Sequence, residues 1–151
     1  MKNKKIQKKY IDYGLGFPVT ILNAPLIKVR NTWALDINYN KYEQSILILL
    51  AYLPSKLTGN ELRFIRTYFE MTIRSFAERF SVKHPAVVKW EKKADLATSM
   101  AWTTEKDIRL FIIDQLIKKP SELQKLYRVL EEEAKTSDRV IKIDSKELKA
   151  A

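Results

Sequence analysis

Hydrophobic positions along the chain change period near residue 40. From Phe17 to Ile37 they alternate: Val19 with Ile21, Ile27 with Val29, then Trp33, Leu35 and Ile37. A period of two marks strands with one covered face. Asn23-Ala24-Pro25 and Arg30-Asn31-Thr32 fall between these runs and predict turns. The segment therefore reads as a meander of two or three short strands, held by Phe17, Ile21, Ile27, Val29, Trp33 and Leu35. So small a sheet is not stable alone and must lie on the helices or on a second copy of itself.

Beyond Asn40 the spacing becomes helical. In "YNKYEQSILILLAYLP", Asn40 and Glu43 predict a capping box. Tyr42, Ile46, Leu49, Leu50 and Leu53 form one stripe, and Pro54 ends the helix. "LTGNELRFIRTYF" repeats the signal: Thr58 caps, Glu61 answers, Leu62, Ile65 and Phe69 face inward, and Arg63 and Arg66 face out. Further on, "TTEKDIRLFIIDQLIKK" buries Ile108, Phe111, Ile112 and Leu116. "SELQKLYRVLEEEAK" turns Leu123, Leu126, Tyr127 and Leu130 inward, and "RVIKID" predicts a last strand.

Between these lies "MTIRSFAERFSVKHPAVVKWEKK", which a single helix cannot accommodate. Proline inside a helix removes a hydrogen bond and clashes one turn back, a penalty of about 3 kcal/mol. In the first turn of a new helix that penalty disappears, because the missing N–H has no partner there. One helix is thus expected from Ile73 to Phe80, capped by Thr72, and another from His84-Pro85 to Lys92. The spacing fits a helix-turn-helix. Ala77 sits at the crossing, Ser81 holds the turn where glycine is common, and Val82 packs inward. Val87 and Trp90 fill the core from the second helix, Phe76 and Phe80 from the first.

Charge gives this pair of helices a purpose. The 151-residue chain has 28 Lys and Arg against 18 Asp and Glu, a net charge of +10, which points to a polyanionic partner. With Val87 and Trp90 buried, the second helix shows Lys83, His84, Pro85, Ala86, Val88, Lys89, Lys92 and Lys93, with Glu91 its single acid. The N-terminal half of such a helix can enter the DNA major groove. There lysine donates to guanine or phosphate, while Ala86 and Val88 can touch a thymine methyl. Thr72, Arg74 and the start of the first helix are placed for phosphate. The site expected from the sequence is therefore Thr72, Arg74, Lys83, His84, Pro85, Ala86, Val88, Lys89, Lys92 and Lys93.

Composition excludes several classes. There is no cysteine, which removes disulfides, thiolate zinc sites and a cysteine nucleophile, and one histidine cannot build a multi-histidine metal centre. Three glycines leave no phosphate-cradling loop, and no serine-nucleophile motif occurs, so neither a cofactor nor catalysis is expected. "SILILLAYL" is too short to span a bilayer, and "MKNKKIQKKY" lacks the apolar run of a signal peptide, so a cytoplasmic protein with no membrane role is expected. Lys2, Lys4, Lys5, Lys8 and Lys9 read as a flexible cationic arm.

The stretch from Met71 to Lys93, ending in Trp90-Glu91, resembles the helix-turn-helix of the Xre (Cro/CI-type) regulators. Those proteins usually carry glutamine where this chain has Ile73, so Thr72 or Arg74 must supply the backbone contact. "LTGNELRFIRTYFEMTIRSFAERFSV", with Ile108-Arg109-Leu110 after it, is similar to the DNA-binding half of MqsA-type (YgiT-type) antitoxins. Their N-terminal zinc domain uses two Cys-x-x-Cys pairs; here the corresponding region has no cysteine, and no zinc is carried over.

The resemblance implies a mainly α fold: a five-helix Xre-type helix-turn-helix domain with a small N-terminal β-meander, α+β overall. The expected segments are a basic flexible arm (1–11), a β-meander with one helix for dimerisation (12–55), the DNA-binding domain (56–135) and a tail with a strand (136–151). It also implies a homodimer on double-stranded DNA, a repressor of transcription, with an antitoxin role toward a toxin protein as a further expectation. The competing expectation is an interaction module that mainly holds a partner through the β-layer, the "RVIKID" edge or the "LEEEAK" acids.

Overall fold

The computed structural model describes residues 3–134 and 140–148. Lys2, Lys135, Arg139 and the tail beyond Leu148, which enter the expectations for the arm, the last helix and the last strand, lie outside them. The chain divides into two units, one of residues 1–46 with 140–151, the other of 47–139.

The first unit is built on a mixed four-stranded sheet. β1 (Lys4–Asp12) pairs antiparallel with β2 (Val19–Val29) along its whole length. On β2's other edge, β3 (Thr32–Leu35) pairs antiparallel with Leu26–Val29, and β4 (Lys142–Asp144) pairs parallel with Thr20–Leu22. The lysine-rich segment expected to be a flexible arm is thus an edge strand. Lysines along an outer edge suit that place, because they discourage other chains from adding to it.

Asn23-Ala24-Pro25 does not turn the chain. β2 runs through it in unbroken register, with Ile6 opposite Pro25 and Gln7 opposite Ala24. Asn23 takes φ +54°, and the buried positions switch there from Val19 and Ile21 to Ala24 and Leu26. The Arg30-Asn31 turn is present: both residues have positive φ, at 50° and 63°, and Val29 faces Thr32 across a two-residue loop. Of the expected β-layer residues, Phe17, Ile21 and Leu35 are buried, whereas Ile27 and Trp33 are only half-buried and Val29 is exposed.

α1 (Tyr39–Tyr52) begins two residues earlier than expected. Asn38, not Asn40, accepts the bond from the Lys41 N–H at 3.1 Å. Tyr42 is fully buried and donates its hydroxyl proton to Asp12 at 2.8 Å.

The second unit contains α2 (Gly59–Tyr68), α3 (Ile73–Arg79), α4 (His84–Glu91), α5 (Trp102–Leu116) and α6 (Pro120–Val129). The mainly α, five-helix expectation is therefore corrected. Among the described residues there are six α-helices and a four-stranded mixed sheet, an α+β fold. The sheet outgrew its forecast because the lysine segment and residues 142–144 both joined it. Residues 142–144 of "RVIKID" do form a strand, paired on one side with β2.

The Thr58 capping box forms in full: the Thr58 hydroxyl accepts from Glu61 N–H, and the Glu61 carboxylate accepts from Thr58 N–H. A row of aromatic contacts, Phe76–Phe80–Phe111–Phe69, with centroids 4.7 to 5.4 Å apart, joins α3, α5 and the end of α2. Tyr127, expected inside, is instead exposed, with the Lys106 ammonium 4.9 Å above its ring. Among the described residues, no helix is long and apolar enough to cross a membrane.

Candidate nucleic-acid interface

The chain bends twice to present α4. After α2, Glu70 enters the left-handed region at φ +56°, and Met71 N–H donates to Arg66 C=O at 3.1 Å. Thr72 then starts α3, its hydroxyl accepting from Ser75 N–H at 3.0 Å. The same closure ends α3. Ser81 has φ +56°, and Val82 N–H donates to Ala77 C=O at 2.9 Å, the six-to-one bond of a Schellman motif. Serine at a left-handed position carries strain that glycine would not. Lys83 is the N-cap of α4, with Pro85 in its first turn, where no N–H is missed.

α4 is seated by Phe76, Ala77, Phe80 and Val87, all buried. Trp90 and Val82 are half-buried rather than the core plugs expected. What fixes the far end of α4 is Glu91, and sequence reasoning placed it wrongly. It is 4 % exposed and faces α2. Arg66 grips it with two bonds, Nε to Oε2 at 2.6 Å and Nη2 to Oε1 at 2.9 Å, and Arg63 Nε adds a third at 3.2 Å. This bidentate geometry is the strong form of the arginine–carboxylate pair. Arg66, expected to face solvent, also donates to Met71 C=O at 3.0 Å and so ties the α2–α3 turn to the same carboxylate.

A second feature was missed. At Gly59 an added Cβ would lie 2.5 Å from Trp90 O and 2.8 Å from Glu91 O and Ala94 N. The first turn of α2 thus lies directly against the backbone at the end of α4. Gly59 N–H and Asn60 N–H donate to Leu96 C=O and Ala94 C=O in the loop that follows.

The third is a buried ion pair. Glu105 and Arg109 on α5 are 1 % and 0 % exposed and bonded at 2.7 Å. Arg109 donates further to the carbonyls of Leu53 and Ser55, and Glu105 accepts from Leu57 N–H. The pair closes the chain around Pro54. Burial pushes the Glu105 carboxyl above the usual range, with Arg109 pulling against it. Arg109 belongs to the Ile108-Arg109-Leu110 stretch, and here its place is structural.

Of the expected site residues, Lys83, His84, Pro85, Lys89 and Lys92 are exposed together on or beside α4, with Ala86, Val88 and Lys93 half-buried among them. Arg74 is exposed on α3. Thr72 is less available, since its hydroxyl is taken up in capping α3. Because Glu91 points inward, residues 83–93 carry no exposed acid.

Searches of protein-family models, of curated proteins and of solved structures find nothing that matches this chain.

Proposed function

We propose that the chain binds double-stranded DNA sequence-specifically as a homodimeric transcriptional regulator, with repression as its output. One observation carries the reading: the only acid in residues 83–93 is withdrawn onto Arg66 and Arg63, leaving Lys83, Lys89 and Lys92 exposed on and beside α4. A solvated helix has no need to bury its acid against two arginines. A helix that must approach phosphates gains from it, since like charge on its surface would repel them. Dimerisation belongs to the proposal because one short helix reads too few base pairs to be selective, and paired half-sites about 34 Å apart remedy that. The test is a mobility shift with random and promoter-derived duplexes at low and moderate salt. A retarded band that fades steeply as salt rises supports the reading; no shift at low salt ends it.

A second role, holding a partner protein such as a toxin, draws support from the sheet. Ile6 and Val29 lie on one of its faces at 73 % and 50 % exposure, more apolar surface than a solvated strand face needs. Co-purification of the tagged chain with the product of an adjacent gene tests it, and a strictly single-component preparation counts against it.

A further inference from the structure

We infer that α4 selects duplex DNA by its thymine methyl groups, received in a shallow depression lined by His84, Pro85, Val88, Lys89 and Lys92. The inference rests on the duplex-binding reading above and names what that site discriminates. His84, Val88 and Lys92 stand four residues apart and form one row along the helix; Pro85 and Lys89 form the next. The depression lies between the rows. Its apolar lining comes from Pro85 and Val88, its polar lining from His84, Lys89 and Lys92.

Two considerations select the occupant. The first is what residues 83–93 lack. They include no Asn or Gln, the side chains that read adenine edges, and no Arg, leaving lysine as the donor available to guanine. Lysine offers a single mobile donor, well suited to phosphate and poor at telling bases apart. The major-groove feature that an apolar receptor can discriminate is the C5 methyl of thymine. The second is charge. A hydrophobic hollow beside lysines disfavours a basic protein segment, and it fits a methyl carried between phosphate-lined walls. Val88, half-buried, is then placed to be a specificity-determining residue, while Lys89 and Lys92 hold the backbone on either side.

The test begins with selection of a tight duplex from a random pool by the full chain. Each thymine of the selected duplex is then replaced by deoxyuridine, which removes one methyl and leaves every hydrogen-bonding group in place. One or two positions per bound chain should weaken binding about fourfold, the effect of exposing a single methyl-sized group. Val88→Ala should abolish that difference and leave the salt dependence unchanged. Val88→Thr, closer in shape, serves as a second variant, and circular dichroism verifies that each is folded. If every deoxyuridine duplex binds as tightly as its thymine parent, the methyl reading fails while DNA binding stands. Deoxyuridine sensitivity that persists in both variants places the methyl contact elsewhere and overturns the assignment to α4's depression. A pool from which nothing is retained at low salt removes the duplex-binding reading itself, and this inference with it.

Discussion

Gly59 and Glu91 hold α4 from its back. Gly59→Ala puts a methyl group 2.5 Å from Trp90 O, a backbone atom at the end of a helix that cannot yield without moving that helix. Overpacking of this kind destabilises by about 1–3 kcal/mol. The variant should unfold at correspondingly lower urea concentration and bind duplex more weakly, although no contact surface has been altered. An unchanged midpoint would mean that α2 and α4 are not pressed together as described. Glu91→Gln keeps the shape and removes the charge. Arg66, with its side chain only 14 % exposed, then loses its bidentate partner, and the variant should lose about 3 kcal/mol of stability. Arg63, already 57 % exposed, adds little to that figure. Denaturation curves of the two proteins measure it; a difference under about 0.5 kcal/mol, the scatter of ordinary surface substitutions, would show that Glu91 is solvated. Neither residue announced itself in the sequence. A glutamate beside lysines on a predicted surface helix reads as a surface charge, and only its approach to Arg63 and Arg66, some 25 residues earlier, makes it internal. The Glu105–Arg109 pair did leave a trace: it shares the four- and three-residue spacing of Ile108 and Ile112 along α5, so a helical stripe drawn without regard to polarity would have included it.

At the scale of elements, local chemistry was legible and long-range pairing was not. Thr58 with Glu61, Thr72 before α3, Pro85 inside α4's first turn and Ser81 in the bend all act within a few residues of themselves, so their signals survive without the fold. β2 shows the opposite case. Asn23-Ala24-Pro25 has turn composition, but β1 runs alongside and pairs with Ala24 and Pro25, an alignment that a turn would forfeit. β1 escaped notice because an edge strand needs few apolar residues, and lysines looked like a loose terminus. One bond ties this sheet edge to α1, from Tyr42 hydroxyl to Asp12 at 2.8 Å, and it carries a pH signature. Burial first, and the Asp12 carboxylate next, push the Tyr42 phenol far above its ordinary 10.0. In the unfolded chain that phenol ionises near pH 10; in the folded one it keeps its proton. The folded state thus binds more protons above pH 10, and its stability falls as pH rises through that window. Tyr42→Phe should therefore be less stable than the parent at neutral pH, by about 1.5–3 kcal/mol for a lost bond to a charged acceptor. The gap should narrow between pH 10 and 12. Parallel denaturation curves at pH 7, 10 and 11.5 check this, and a gap that widens with pH contradicts the sign.

For the whole molecule the informative quantity is how binding responds to salt. A net charge of +10 guarantees some attraction to any polyanion and says nothing about which surface is used. Counterion release separates the two, because the slope of log affinity against log salt counts the phosphates neutralised rather than the total charge. Arg74, Lys83, Lys89 and Lys92 are the exposed cations of the proposed site; Arg79, also exposed on α3, lies 3.9 Å from Asp107. If all four reach phosphates, each bound chain contributes a slope of about −3.6, the product of four contacts and about −0.9 per contact. Lys89→Ala should lower the magnitude of that slope by about 0.9 per bound chain and weaken every duplex alike. Substitutions among the β1 lysines at positions 4, 5, 8 and 9 change the net charge by the same unit. They should leave the slope where it was, since the proposed contact runs through α4. Titrations of parent and variants between about 50 and 200 mM salt distinguish the cases. Equal reductions from both groups would make binding a property of overall charge, and the inward turn of Glu91 would then need another explanation.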